Sequence, residues 1–239
     1  MGAQWKVQGK AAKSAAMGAI VSKLAKEISV AAKLGGPDPG SNPRLRAAVE
    51  AAKKQSVNKD VIERNIKKGA GLLDEKVNYE TITFEGFAPH KVPVIVEALT
   101  DNKNRTNSDV RVLFRKGQLG NSGSVAWMFD HLGVVEATHA EMKDIEEAAI
   151  EAGAQNVEAM DKEDLSDAKV GAYFYTELTD LNAVSNALSS AGWKVTKSEF
   201  SYKPKNLVEL SGEQMKEVGE FLQAIDDQED VHRIYAAVK

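Results

Sequence analysis

Cysteine is absent from the 239 residues, and with it go the disulfide scaffold, the thiolate zinc site and the cysteine nucleophile. Aromatic residues make up only 6% of the chain. Long hydrophobic runs are missing too: the longest, such as residues 92–99, fall far short of the ~20 residues a membrane helix needs. The first residues, Met1-Gly2-Ala3-Gln4-Trp5-Lys6, contain no apolar core of a secretory signal, and Lys6 stands where a myristoylation motif requires Ser or Thr. These absences lead us to expect a soluble, cytoplasmic protein with no membrane partner.

Catalytic constellations are equally scarce. The four histidines, His90, His131, His139 and His232, have no ligand spacing, and no H-E-x-x-H occurs. Ser124 lies in Asn121-Ser122-Gly123-Ser124-Val125, which is not a nucleophile elbow. The acid pairs Glu146-Glu147 and Asp226-Asp227 are adjacent in sequence, so on a helix their side chains do not face one another. No catalytic residue, metal site or cofactor is expected, and the chain does not read as an enzyme.

Charge is abundant and unevenly placed. The formal net charge of −4 is a cancellation. Residues 1–73 hold 14 bases against five acids, a net +9, whereas residues 133–202 hold five lysines and 14 acids, a net −9. Residues 74–132 stand at −1 and residues 203–239 at −3. A basic end for an acidic partner, nucleic acid above all, is thus joined to an acidic body.

The first third has helical periodicity only. Ile20, Val21, Leu24, Ile28 and Ala31 fall on one face of a helix that Gly35-Gly36-Pro37 ends, with Lys23, Lys26 and Lys33 on roughly the opposite face. Asn42-Pro43 caps and opens a second helix over 44–55, and Asn58 opens a third that Gly69 closes. The stretch Lys10-Ala11-Ala12-Lys13-Ser14-Ala15-Ala16 has helix propensity but little apolar bulk, and we expect a frayed arm that orders on a partner. Strand-forming stretches follow at 81–84, 92–99 and 124–129, with a helix holding Val110, Leu113 and Phe114 between the last two. Residues 133–202 then read as strand, helix, strand, strand, helix, strand, the ferredoxin-like order. A last helix opens at Ser211 and a last strand covers 231–238.

The expected fold class is therefore α+β: an N-terminal three-helix bundle, a middle α/β domain and an inserted ferredoxin-like lobe. The boundaries are 1–75 for the basic helical domain with its arm, 76–132 plus 203–239 for the middle domain, and 133–202 for the acidic lobe.

Two loops could cradle phosphate. The glycines of Gly117-Gln118-Leu119-Gly120-Asn121-Ser122-Gly123 match neither a dinucleotide fingerprint nor a P-loop, and a turn needing positive φ is the plainer reading. In Asn102-Lys103-Asn104-Arg105-Thr106, a capping box at Thr106-x-x-Asp109 would set a helix start beside Lys103 and Arg105, where an anion or a partner could bind. Plain helix capping explains that pattern equally well. The stronger candidate is the basic third, with Lys10, Lys13, Lys23, Lys26, Lys33, Arg44, Arg46, Lys53 and Lys54 as phosphate ligands. Lysines outnumber arginines 11 to three there, and Trp5 is its sole aromatic residue, which suits backbone contact better than base readout or stacking.

Several of these stretches together resemble the YebC family: Lys10-Ala11-Ala12-Lys13, Ala31-Ala32-Lys33-Leu34-Gly35-Gly36-Pro37-Asp38-Pro39, Asn42-Pro43-Arg44-Leu45-Arg46-Ala47-Ala48, Asp101-Asn102-Lys103-Asn104-Arg105-Thr106, Gly123-Ser124-Val125-Ala126-Trp127-Met128-Phe129 and Asp226-Asp227-Gln228-Glu229-Asp230-Val231. The likeness runs from Trp5 to the C-terminus in unchanged order. It departs at Ala16-Met17-Gly18-Ala19, where relatives tend to carry a Lys/Arg-Gly-Lys pattern, and in a glycine loop about two residues shorter than usual. The resemblance implies a probable transcriptional regulator, with mitochondrial relatives acting as translational activators and some bacterial ones linked to ribosomes stalled on proline runs. It also implies that the lobe is an insertion, and no enzymatic activity.

Two partners for the basic end stay open, DNA and RNA, the latter including ribosomal RNA. A basic protein would complement the acidic lobe, which allows a second class of function, the protein–protein adaptor.

Overall fold

The computed structural model describes residues 13–73, 79–162, 165 and 167–239. The chain divides into two compact units, Met1–Asp130 with Pro204–Lys239, and His131–Lys203. Lys10 and the start of the arm lie outside the described residues.

In the first unit, α1 (Lys13–Gly35), α2 (Pro43–Lys54) and α3 (Lys59–Gly69) form the helical bundle. Ile28, Ala31, Ala32, Leu45, Ala48, Val49, Ala52 and Ile62 make its core. The abundance of alanine lets the helices approach closely. At Gly69 an added Cβ would stand 2.1 Å from the Ser29 carbonyl oxygen, so only glycine fits against α1 there. Asn42 ties the bundle's first corner. Its side-chain oxygen accepts from Leu45 N at 3.0 Å, capping α2, while its amide donates to Ala31 O and Gly36 O at the end of α1. Ile20, expected on the buried face, is 38% exposed, because the core begins a turn later at Leu24.

The middle domain is a wholly antiparallel four-stranded sheet in the order β3-β1-β2-β8, formed by β1 (Glu80–Ala88), β2 (Val92–Thr100), β3 (Gln118–Leu119) and β8 (Val231–Ala236). α4 (Lys103–Leu113) and α7 (Gly212–Asp226) pack on it. Val94, Val96, Val110, Phe114, Val218, Phe221, Leu222 and Ile225 form the core between them. Phe114 and Phe221 meet edge to face at 5.3 Å.

Two local expectations are corrected here. The supposed strand over 124–129 is a 3-10 turn, Ala126–Met128, and the strand begins only at Phe129. The Glu85 carboxylate takes the N–H groups of Gly123, Val125 and Ala126, which leaves none of them for a ladder. Nor does Thr106 open a capping box: α4 starts earlier, capped by Asn102, whose side chain accepts from Arg105 N at 3.1 Å.

The second unit takes in most of β4 (Phe129–His139) and β7 (Lys194–Pro204), with α5 (Ile145–Ala152), β5 (Asn156–Ala159), β6 (Val170–Thr176) and α6 (Leu181–Ser190) between them. The strand order β5-β6-β4-β7 is that of a ferredoxin-like sheet. Val135, Ala137, Phe174, Val184, Leu188 and Trp193 fill the space beneath the two helices. The first of these helices starts at Ile145, because the Asp144 carboxylate accepts from Glu146 N and Glu147 N and fixes the cap there.

Candidate nucleic-acid interface

The basic residues of the first unit separate into two groups by what surrounds them. Lys23 and Lys26, on one flank of α1, point at the end of α7 and the turn into β8. Lys23 Nζ donates to the Asp226 carbonyl and lies 3.5 Å from its carboxylate. Lys26 Nζ lies 2.5 Å from Asp230 Oδ1 and donates to the Glu229 carbonyl at 3.1 Å. Arg105 reaches the same carboxylate at 2.9 Å, and Thr106 Oγ1 donates to it at 2.8 Å. Asp230 is thus fully buried among two cations and a hydroxyl. Burial alone would push its pKa up; hydrogen bonds from Lys26, Arg105 and Thr106, with the charge of Lys26, outweigh that and hold it at about 2.

A second buried carboxylate sits beside the first. Glu27 on α1 receives Arg44 Nε at 2.8 Å and a second guanidinium nitrogen at 3.1 Å, a forked pair. His232 Nε2 on β8 lies 3.1 Å away, close enough for an ion pair though not aligned as a hydrogen bond. Burial raises the Glu27 pKa, and His232 and Arg44 more than offset it, holding the carboxyl well below the usual range. These contacts join the helical bundle to the middle domain.

Five further bases of the bundle face solvent. Lys33, Arg46, Lys53, Lys54 and Lys67 are exposed along the end of α1, α2 and α3. The Gly40 N–H and the Ser41 hydroxyl hold the Asp38 carboxyl below its usual pKa, and the charge of nearby Arg46 adds to them. Lys33, Lys53, Lys54 and Lys67 have no carboxylate partner among the described residues. Lys13 begins α1.

Residues 102–106 come out as the cap and first turn of α4 rather than a free loop. Lys103 pairs with Glu80, Thr106 is wholly buried, and Asn104 is exposed. The glycine loop is also occupied: its N–H groups at Gly123, Val125 and Ala126 donate to Glu85 at 2.7, 2.9 and 2.8 Å. Burial raises the Glu85 pKa, and those three donors lower it below the usual value. Gly123, at φ +86, makes the bend. The anion in this cradle is the protein's own.

One group escaped the sequence reading. Arg111 and Arg115 lie on the exposed side of α4 and the turn after it. The signal was present: residues 103–116 hold five bases and one acid, averaged away in the −1 of residues 74–132.

Among the described residues no group of three or more His, Cys, Asp or Glu is placed to hold a metal ion, and no helix is long and apolar enough to cross a membrane.

The chain thus combines a helical bundle, an antiparallel α+β domain and a ferredoxin-like lobe. The TACO1/YebC N-terminal domain matches residues 2–72, and the TACO1/YebC second and third domain matches residues 79–238. The chain belongs to the TACO1/YebC family. It is 53% identical over 241 residues to a probable transcriptional regulatory protein of Bdellovibrio bacteriovorus, with 100% of each chain covered. A probable transcriptional regulatory protein of Pseudomonas syringae pv. tomato is also 53% identical, over 100% of this chain and 99% of its own. The crystal structure of a conserved hypothetical protein from Aquifex aeolicus is similar at a TM-score of 0.76 and 37% identity, covering 100% of this chain and 96% of that one.

Proposed function

We propose that the protein is a non-enzymatic regulator of gene expression that grips nucleic-acid phosphates through its helical domain. The observation that carries this reading is the set of exposed bases, Lys33, Arg46, Lys53 and Lys54, on a bundle in which Lys23, Lys26 and Arg44 are engaged by carboxylates. Cations facing water are the ones that can exchange counterions for phosphates. Lys23, Lys26 and Arg44 then serve the interface indirectly, by fixing how α1 and α2 are held. Lys10 and Lys13 add two more bases to the same end of the sequence.

The names of the relatives favour transcription, hence duplex DNA, as the target. A lysine-rich surface without aromatic side chains reads no bases, and ribosomal RNA suits it as well. The test is fluorescence anisotropy of the full chain with a labelled DNA duplex and the RNA duplex of the same sequence. Binding that weakens steeply with salt and falls on Lys33→Gln with Lys53→Gln and Lys54→Gln is expected. Binding to neither duplex would overturn the proposal and favour an adaptor that meets basic proteins through its acidic lobe.

A further inference from the structure

We infer that the exposed face of α4 is a second nucleic-acid contact, built to take the sugar–phosphate backbone of an RNA strand, and that its key residues are Arg111 and Arg115. The inference rests on the nucleic-acid reading above and locates a site outside the helical domain.

α4 turns Thr106, Val110 and, one turn on, Phe114 into the core of the middle domain. Helical periodicity then sends Asn104, Asn107, Ser108 and Arg111 to the opposite side, with Arg115 following in the turn that continues the helix. These residues, together with Val112, line an open depression of about 440 Å³. Every residue of the set but Val112 is polar or cationic, and none is acidic.

The cations of this stretch differ in what they face. Lys103 is paired with Glu80 and Arg105 with Asp230, whereas Arg111 and Arg115 have no carboxylate partner among the described residues. Two guanidinium groups left unneutralised one helical turn apart, about 6 Å along the axis, can each fork onto a phosphate of one extended strand. Asn104 and Asn107 add side-chain groups that both donate and accept, and Ser108, whose hydroxyl donates to the Asn104 carbonyl at 2.9 Å, adds an acceptor. A ribose 2′-hydroxyl is itself donor and acceptor, so this chemistry fits RNA more fully than DNA. The exposed valine, 53% accessible at Val112, offers an apolar edge for the sugar. No aromatic side chain lines the depression, so the face reads the backbone and not the bases.

The test is anisotropy of the full chain with a 5′-fluorescein-labelled single-stranded RNA and the DNA strand of the same sequence, each over a range of salt. The variants are Arg111→Gln with Arg115→Gln, Asn107→Ala, and Lys53→Gln with Lys54→Gln. All substitutions of the α4 face are at exposed positions, and unchanged melting temperatures confirm folding. The arginine pair should weaken RNA binding about tenfold and flatten the slope of log K against log salt by about 1.4, at ~0.7 per single-strand phosphate. Asn107→Ala should weaken RNA binding while leaving DNA binding unchanged. If the lysine pair weakens binding while the arginine pair leaves affinity and slope unaltered, the α4 site is wrong and the helical-domain reading stands. Equal losses on RNA and DNA for Asn107→Ala would overturn the ribose contact. If the wild-type chain binds the duplexes but neither strand, the α4 proposal fails and the helical-domain reading stands; if it binds neither strands nor duplexes, both fail.

Discussion

The inner flank of α1 and the outward surface of α2 and α3 are made of the same residue types and have opposite surroundings. On the inner flank, Lys23 and Lys26 meet Asp226 and Asp230, carboxylates more than 200 positions away in the chain. On the outer surface, Lys53 and Lys54 are exposed and have no carboxylate partner among the described residues. Charge count alone therefore misleads about function. Removing an inner cation or its acid uncovers a buried charge, which is costly; removing an outer cation changes little but the field that a phosphate feels.

That contrast is most strongly stressed at Asp230. Asp230→Ala leaves Lys26, Arg105 and Thr106 facing a gap, and a loss of about 3–5 kcal/mol is expected, read as a lower midpoint in urea unfolding. A variant as stable as the wild type would mean that the inner cations are not structural.

Acid should act on the same contacts more gently, since a protonated carboxyl still hydrogen-bonds. Asp230, held at about 2, and Glu27 and Glu85, both depressed, stabilise the fold when ionised. Their contribution is complete above the ordinary carboxylate range and falls away as pH drops below about 4 toward 2. Circular dichroism across that window should show stability falling with pH, and amide exchange should rise first where α1 meets the α7–β8 turn. A flat profile between pH 4 and 2 would contradict the account.

A smaller effect is expected at the glycine loop. Glu85→Gln keeps the shape but replaces one of the two acceptor oxygens with an NH2 that cannot accept, leaving at least one of the three N–H donors unpaired, for an expected loss of about 1–3 kcal/mol. Trp127, 66% exposed, sits at the end of that loop, and its indole N–H donates to Ser124 O, so its fluorescence reports the loosening. The smallest effect belongs to the outer surface. Lys53→Gln with Lys54→Gln should alter stability by no more than about 0.5 kcal/mol.

What could be read in advance was local. Asn42-Pro43 marked a helix start because a cap depends on three or four consecutive residues, and the strand–helix order of the lobe followed from periodicity. The ion pairs of Lys23, Lys26, Arg44 and Arg105 could not be read, since which carboxylate a lysine meets is decided by tertiary packing. The glycine loop was obscure for the same reason: its three donors wait for a glutamate some 40 residues earlier. Arg111 and Arg115 are different. Their spacing and the local excess of bases were legible, but averaging charge over residues 74–132 hid them.

The central claim is that outward cations bind phosphate while inward ones hold the domains together. The most direct test measures, in one series, melting temperature and the salt dependence of nucleic-acid binding for Lys53→Gln with Lys54→Gln and for Lys23→Gln with Lys26→Gln. The outer pair should flatten the salt slope at unchanged melting temperature, and the inner pair should lower the melting temperature. An outer pair that leaves the slope untouched, or an inner pair that flattens it without loss of stability, would contradict the account.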